Sequence, residues 1–194
     1  MVVKTREKLL EVARQLFANN GIENTTMNDI ANASEKGRRT IYTYFKNKKE
    51  IYNAVIEREG ELSVHKLREI VKQNISPVEK LRLFFETRFN IVKDSTLFQE
   101  DPLKRFFIRD VKKIERIRKR AFEKEKEIIN EIITEGVEMG LFDEKQCARF
   151  EPLRLLILQG VDLVYLRDNF FELGIDENTF STDLIEFIIN GIKI

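Results

Sequence analysis

Lys36-Gly37-Arg38-Arg39-Thr40-Ile41-Tyr42-Thr43-Tyr44-Phe45-Lys46-Asn47-Lys48-Lys49 carries six cations and no acid. A solvated basic face would account for the charges alone, but the flanks add order. Upstream, Thr26 with Asp29 three residues later reads as a capping box that opens a short helix ending near Ser34. Downstream, Asn47 with Glu50 opens a long helix toward residue 71, with Gly60 a weak point. A helix of barely two turns, about 38–45, fits between these starts. Short helix, tight connection and short helix is the layout of a helix-turn-helix, whose second helix enters the major groove by its N-terminal residues. Ile30, Ala33, Ile41 and Phe45 supply an apolar seam, which leaves Arg38, Arg39, Thr40, Thr43 and Tyr44 facing out. Arginine forks onto guanine O6 and N7, and threonine touches a thymine methyl; tyrosine hydroxyls, lysines such as Lys46, and helix N-termini hold phosphates. Arg38 and Arg39 are therefore the expected base readers.

Working outward, apolar residues recur at helical spacing and no run of period-two alternation predicts a sheet, so the expected fold is all-α. Leu9, Val12, Ala13, Leu16 and Phe17 form one stripe, and Gly21-Ile22 gives a left-handed stop, which predicts a first helix over about 4–20. The architecture expected is an N-terminal three-helix DNA-binding domain over residues 1–47 and a C-terminal helical dimerisation and ligand-binding domain over 48–194. In the latter, Ser76-Pro77 and Asp101-Pro102 each start a helix, and residues about 111–139 form one or two more, with Val111, Ile114, Ile128, Ile132 and Val137 inward. Met139-Gly140 ends them. Glu151-Pro152 opens an apolar helix to about Phe171, and Asn178 or Ser181 opens the last.

The whole chain of 194 residues has a net charge of +1, which alone favours no partner. Its distribution is uneven: residues 1–50 hold ten Lys/Arg against six Asp/Glu, or +4, and the remaining 144 hold 24 against 27, or −3. The basic end is the polyanion-binding end. Cys147 and His65 are each unique, so an intrachain disulfide and a clustered Cys/His metal site are excluded. With no G-x-S-x-G elbow and no glycine-rich phosphate loop, no enzyme activity, cofactor or metal is expected. Charges interrupt the N-terminus where a signal peptide would be apolar, and Leu153–Leu166 is too short and too polar to span a bilayer; a cytoplasmic protein is expected. Cys147 falls in a predicted loop, His65 on a helix surface, and Lys112 to Arg120 reads as a solvated face.

The pattern Thr26-x-x-Asp29-Ile30-Ala31, then Thr40-Ile41-Tyr42-x-Tyr44-Phe45-x-Asn47-Lys48, resembles the DNA-binding domain of the tetracycline-repressor (TetR) family over about residues 5–55. The resemblance implies that Thr26, Thr40, Tyr42, Tyr44 and Lys48 contact DNA, with Lys48 gripping phosphate at the start of the long helix. Two features depart from it. Glu35-Lys36 stands where the family usually has Gly-Val, and Gly37 where it usually has a serine cap. Glycine is an acceptable cap, but a glutamate forced to positive φ costs on the order of 1 kcal/mol or more, which would favour a turn shifted by one residue. Arg39, where a glycine is common, adds a base or phosphate contact.

Leucine and valine cover nearly the whole circumference of the helix at 153–166, more than one partner face can bury. Either it is the central helix of a monomer or a second chain covers it. A homodimer pairs this helix and the last one in a four-helix interface through Leu155, Leu158, Leu166, Leu184, Phe187 and Ile188, an arrangement the resemblance also suggests. It spaces the recognition helices by roughly 34 Å, which predicts a near-palindromic operator in double-stranded DNA. Paired phenylalanines such as Phe84-Phe85 and Phe106-Phe107 are plain core by default. The resemblance raises the alternative that Phe85, Phe89, Phe107, Phe122 and Tyr165 line a cavity for a small apolar or aromatic effector, with Asp162 or Gln159 as polar anchor. Asp162 can equally pair with an arginine across the dimer. The function implied is a DNA-binding regulator, a repressor released by its effector; the rivals are an effector-independent architectural DNA-binding protein and a helical interaction adaptor.

Overall fold

The computed structural model describes residues 2–93, 111–167 and 169–194, with the backbone alone for Val2, Val3, 111–118, Leu155, Leu166 and Arg167. Phe107 and the helix start expected at Asp101-Pro102 lie outside the described residues. The helices are α1 (Val2–Asn24), α2 (Met27–Ala33), α3 (Arg38–Tyr44), α4 (Lys48–Val71), α5 (Pro77–Lys93), α6 (Val111–Glu138), α7 (Glu144–Arg167) and α8 (Glu177–Ile192). Among the described residues, the one extended contact is an isolated bridge between Phe142 and Lys193. No helix among them is long and apolar enough to cross a membrane. The fold is all-α.

The described residues pack as two compact units that part inside α4, between Glu61 and Leu62, and again inside α6, between Arg118 and Lys119. The sequence boundary at residue 47 is the start of α4. The packing boundary falls later because the first turns of α4 bury Ile51, Tyr52 and Val55 in the first unit's core. Leu9, Leu10, Ala13 and Phe17 from α1 meet them there, with Ile30 and Ala31 of α2 and Ile41 of α3. Phe17 and Tyr52 pack edge to face, ring centroids 5.9 Å apart. α1 stops where its glycine predicts: Gly21 leaves helical geometry at φ 76, and one further turn follows. A belt of ion pairs joins α1 to α4, with Arg58 donating to Glu11 at 2.8 Å and lying 3.0 Å from Glu7. Hydrogen bonds from Arg14 and then Arg58 hold the Glu11 carboxyl down at about 2.

The second unit gathers Leu67 and Ile70 of α4, Leu81, Phe84, Phe85 and Phe89 of α5, Ile128, Ile129 and Ile132 of α6, Leu158 and Val161 of α7, and the Ile185, Ile188, Ile189 and Ile192 stripe of α8. Within it lies a buried ionic cluster. Arg88 of α5 donates to both carboxylate oxygens of Asp162 on α7, at 2.6 and 2.9 Å, and to Glu125 on α6 at 3.1 Å. Burial works against the Arg88 charge, but Asp162 and Glu125 more than offset it and raise its pKa above the ordinary arginine range. Removing one partner of such a cluster costs about 3–5 kcal/mol, because it leaves a charge buried without compensation.

Three helix boundaries differ from the sequence reading. α7 begins at Glu144, seven residues ahead of Glu151, and runs straight through Pro152. Asp143 is the true start, its carboxylate accepting from the Gln146 amide at 2.8 Å. Proline removes one amide from the ladder, but Cys147 and Phe150, buried ahead of it, and Leu158, buried beyond it, hold the helix to the core on both sides. Cys147 therefore lies in the first helical turn and not in a loop; burial, with Asp143 beside it, pushes its thiol pKa up. α7 ends by Arg167, short of Phe171. α8 is capped by Asp176, which accepts from the Asn178 amide at 2.9 Å.

α6 closes as expected at Met139-Gly140, where Gly140 adopts φ 69. The turn folds Phe142 back onto Gly136: a Cβ at that glycine would stand 2.1 Å from the ring's Cδ2. Gly136→Ala should destabilise the protein by about 1–3 kcal/mol through overpacking. Urea unfolding measures it; an unchanged midpoint would contradict the packing.

Candidate nucleic-acid interface

α2 and α3 are seven residues each, too short to persist without help. α2 gets it from a complete capping box. Thr26 Oγ1 accepts from the Asp29 amide at 3.2 Å, and the Asp29 carboxylate accepts from the Thr26 amide at 2.8 Å and the Thr26 hydroxyl at 2.7 Å. The Thr26 hydroxyl, then its amide, lower the Asp29 pKa. The seam between α2 and α3 uses Ile30 and Ile41 as predicted, but Ala33 is exposed and Ala31 and Ser34 are buried in its stead. The α2 end rotates because the Ser34 hydroxyl turns inward to donate to the Ala31 carbonyl at 2.9 Å.

Glu35 takes the positive φ itself, at 57°, so the turn is not displaced. Amides of Glu35 and Lys36 close it on the carbonyls of Asn32 and Ala31, at 3.0 and 2.9 Å. The Glu35 carboxylate is held by Lys8 Nζ at 2.8 Å, an exposed pair that offsets little of the strain. Gly37 then caps α3 in extended geometry, without a side-chain bond. At the far end, Asn47 Oδ1 accepts from the Glu50 amide at 3.0 Å, while Glu50 reaches back one residue further than a capping box requires, to the Lys46 amide at 2.6 Å.

The outward face of α3 carries Arg38, Arg39, Tyr42 and Thr43, all exposed, flanked by half-buried Thr40 and Tyr44 and followed by exposed Lys46. The Arg38 guanidinium lies over the Tyr42 ring, 5.8 Å from its centroid. Thr43 Oγ1 donates to the Arg39 carbonyl at 3.0 Å, so its proton is used within the helix. Tyr44 leans on the first unit's core. Lys48 is half-buried, with Nζ donating to the Ile22 and Glu23 carbonyls at 2.6 and 3.2 Å. Sequence spacing also misses Arg6, whose guanidinium lies 5.6 Å from the Phe45 ring centroid and brings an α1 cation to the end of α3. Nothing local links positions 6 and 45; only the fold does.

The residues expected around an effector separate into groups. Phe85 and Phe89 are fully buried, ring centroids 5.8 Å apart. Phe122 and Asp162 meet at Arg88, whose guanidinium lies 5.8 Å from the Phe122 ring centroid. The arginine that pairs with Asp162 is thus in the same chain, on the buried face of α5 beside Phe84, Phe85 and Phe89. Gln159 is exposed and does not join them. Tyr165 belongs to another aromatic group with Phe170 and Phe180, its hydroxyl 2.9 Å from Ser181 Oγ.

Of the expected interface residues, Leu158 and Ile188 are 1% and 3% exposed, taken up by the second unit's own core because the α7 and α8 faces that bear them turn inward. Leu184 is half-buried and Phe187 is 74% exposed. The side chains of Leu155 and Leu166 lie outside the described residues. Leu153, Leu156 and Leu163 are exposed on α7, separated by exposed Gly160 at a three-four-three spacing.

Two short helices joined by a tight turn, the second presenting arginines from its N-terminus, define a helix-turn-helix protein. Residues 9–55 match the bacterial regulatory proteins of the tetR family, and this segment is a helix-turn-helix domain of the tetR type. The chain is 36% identical over 86 residues to the probable acrEF/envCD operon repressor of Escherichia coli K12, covering 41% of this chain and only 37% of that relative. Two solved structures share the fold over nearly the whole chain. A transcriptional regulator from Saccharomonospora viridis in complex with choline superposes with a TM-score of 0.75 at 20% identity, covering 99% of each chain. FadR from Bacillus subtilis in complex with stearoyl-CoA gives 0.62 at 22% identity, over 96% of this chain and 98% of that one.

Because Glu35 carries the left-handed geometry, Glu35→Gly should raise stability by up to about 1 kcal/mol, and Glu35→Val should lower it by about as much. Urea denaturation ranks the three proteins; a stabilised valine variant would refute the strain.

Proposed function

We propose that the protein is a transcription regulator that binds a near-palindromic operator as a homodimer and releases it when a small apolar or aromatic ligand occupies the second unit. The observation that carries this is the exposed face of α3, where Arg38 and Arg39 stand at the N-terminus of the helix within the segment that matches the tetR family. Arg38 and Arg39 read base edges, Thr40 and Thr43 offer their methyls, and Thr26, Tyr42, Tyr44 and Lys46 hold the backbone. Six to ten phosphate contacts across two copies would make affinity fall about 10³–10⁵-fold between 50 and 200 mM salt. The protein acts where the chromosome is, in the cytoplasm.

Dimerisation is supported by the exposed stripe Leu153, Leu156 and Leu163 of α7 beside Phe187 of α8. Apolar side chains spaced three and four residues apart suit the seam of a helix pair. The ligand reading is supported by the apolar Phe85 and Phe89 and by the stearoyl-CoA and choline bound in the two relatives of like fold. A ligand that favours one of two conformations by about 1–3 kcal/mol loosens the operator 5–150-fold.

Selection from random duplex DNA should return a near-palindrome with half-sites about one helical turn apart. The double variant Arg38→Ala/Arg39→Ala should lose at least about tenfold in preference for that duplex over mixed-sequence DNA while staying folded. Undiminished preference would leave an adaptor or an architectural protein as the better account. Separately, Leu156→Glu with Phe187→Asp should convert a dimer to a monomer in sedimentation, with the helical circular dichroism kept. A dimer that survives both changes lies on another face.

A further inference from the structure

Among the described residues two arginines are buried, both in the second unit, and their charges are met differently. Arg88 donates to two carboxylates that more than offset its burial. Arg154 of α7 is 1% exposed. Its Nη1 donates to Asn130 Oδ1 of α6 at 2.8 Å, while Nε and Nη2 are buried without a hydrogen-bond partner. Glu151 Oε1 stands 3.7 Å from Nη2 and also 3.7 Å from Lys126 Nζ of α6, too far to bond either. Burial pulls the Arg154 pKa down, and Glu151 restores only part of it.

A guanidinium carries five donors and keeps its proton, so leaving buried donors unmatched costs stability. Such a group points to an acceptor that arrives from outside. A second copy seated on Leu153 and Leu156 would meet the exposed face of α7, whereas Arg154 lies on the buried face with Phe150 and Leu158. The polar anchors expected for a ligand do not compete for the role, because Asp162 is held by Arg88 and Gln159 is exposed. An oxyanion suits the vacant donors best, since a carboxylate or phosphate edge takes the guanidinium fork. Nη2 and Lys126 already flank one position for it, which the exposed carboxylate of Glu151 fills loosely.

We propose that Arg154, with Lys126 beside it, binds the acidic head group of the ligand that occupies the second unit, a carboxylate or phosphate joined to an apolar body, and that Glu151 yields its place to that group. The inference rests on the ligand reading above and adds the ligand's charge. A neutral or cationic apolar molecule would leave Nε and Nη2 unmatched.

Laurate, dodecyl phosphate and dodecanol share one apolar chain and differ in the head; each is titrated into the protein by calorimetry. At least one of the two anions should bind about tenfold or more tighter than dodecanol, and the better of them tells carboxylate from phosphate. Arg154→Met should erase that preference while leaving the urea midpoint where it was or higher, because it removes a buried charge that is incompletely paired. Glu151→Gln, an exposed change that carries the test independently of any loss of fold at Arg154, removes the competing carboxylate and should widen the preference. Equal binding of anions and alcohol to the unmutated protein, a preference that survives Arg154→Met, or one that Glu151→Gln leaves unchanged would overturn the inference.

Failure of the ligand reading looks different, since none of the three compounds would then bind the unmutated protein. Inorganic phosphate alone decides the inference in that event. It should raise the melting temperature of the unmutated protein by more than that of Arg154→Met; equal rises would show only the general stabilisation that phosphate gives any fold and would sink the proposal.

Discussion

Seven-residue helices do not stand by themselves in water, because the bonds gained in so few turns barely offset the cost of nucleating them. α2 and α3 exist because their ends are tied down. Thr26 and Asp29 bond to each other ahead of α2, backbone amides close the turn at Glu35, and Asn47 with Glu50 locks the exit from α3. Between the ties, Ile30, Ala31 and Ile41 reach a core built by α1 and α4. Because terminal hydrogen bonds hold the two helices, most of the surface of α3 remains free for another molecule. A longer, self-sufficient helix would have had to bury more of itself.

The legible parts of the fold are those in which a local bond decides the outcome. The caps at Thr26, Asn47 and Ser76, and the glycine stops at Gly21 and Gly140, involve residues within a few positions of one another, and each is found where spacing places it. What spacing misses is decided by partners far along the chain. Pro152 looks like a start, but buried side chains on either side keep its helix intact. Arg88 is unexplained beside Phe84, Phe85 and Phe89 until Asp162, 74 positions away, is seen bonded to it. Leu158 and Ile188 look as available as Leu156 and Phe187, and only the direction in which α7 and α8 face the core tells them apart.

The second unit holds its helices by two means that differ in specificity. Isoleucine and phenylalanine packing is broad and tolerates small rotations, since it depends on volume more than on direction. The Arg88 cluster is directional: a planar guanidinium must meet the Asp162 carboxylate edge-on and Glu125 from the side, which admits one register of α5, α6 and α7. Any displacement of α5 along its axis has to break those bonds or carry α6 and α7 with it. A shift at one helix thereby becomes a shift of three.

The stacking of Arg38 on Tyr42 has a consequence for how a sequence is chosen. A long arginine side chain surrenders about 1.5–2 kcal/mol of rotamer freedom when it is immobilised. Arg38 has already given up part of that to the tyrosine face before any duplex arrives, whereas Arg39 has no side-chain partner among the described residues and must be frozen on contact. Two neighbouring arginines thus arrive unequally prepared. If the two arginines read base edges as proposed, the one already leaning on its neighbour tolerates fewer alternatives, and a base pair opposite Arg38 would be judged more strictly than one opposite Arg39.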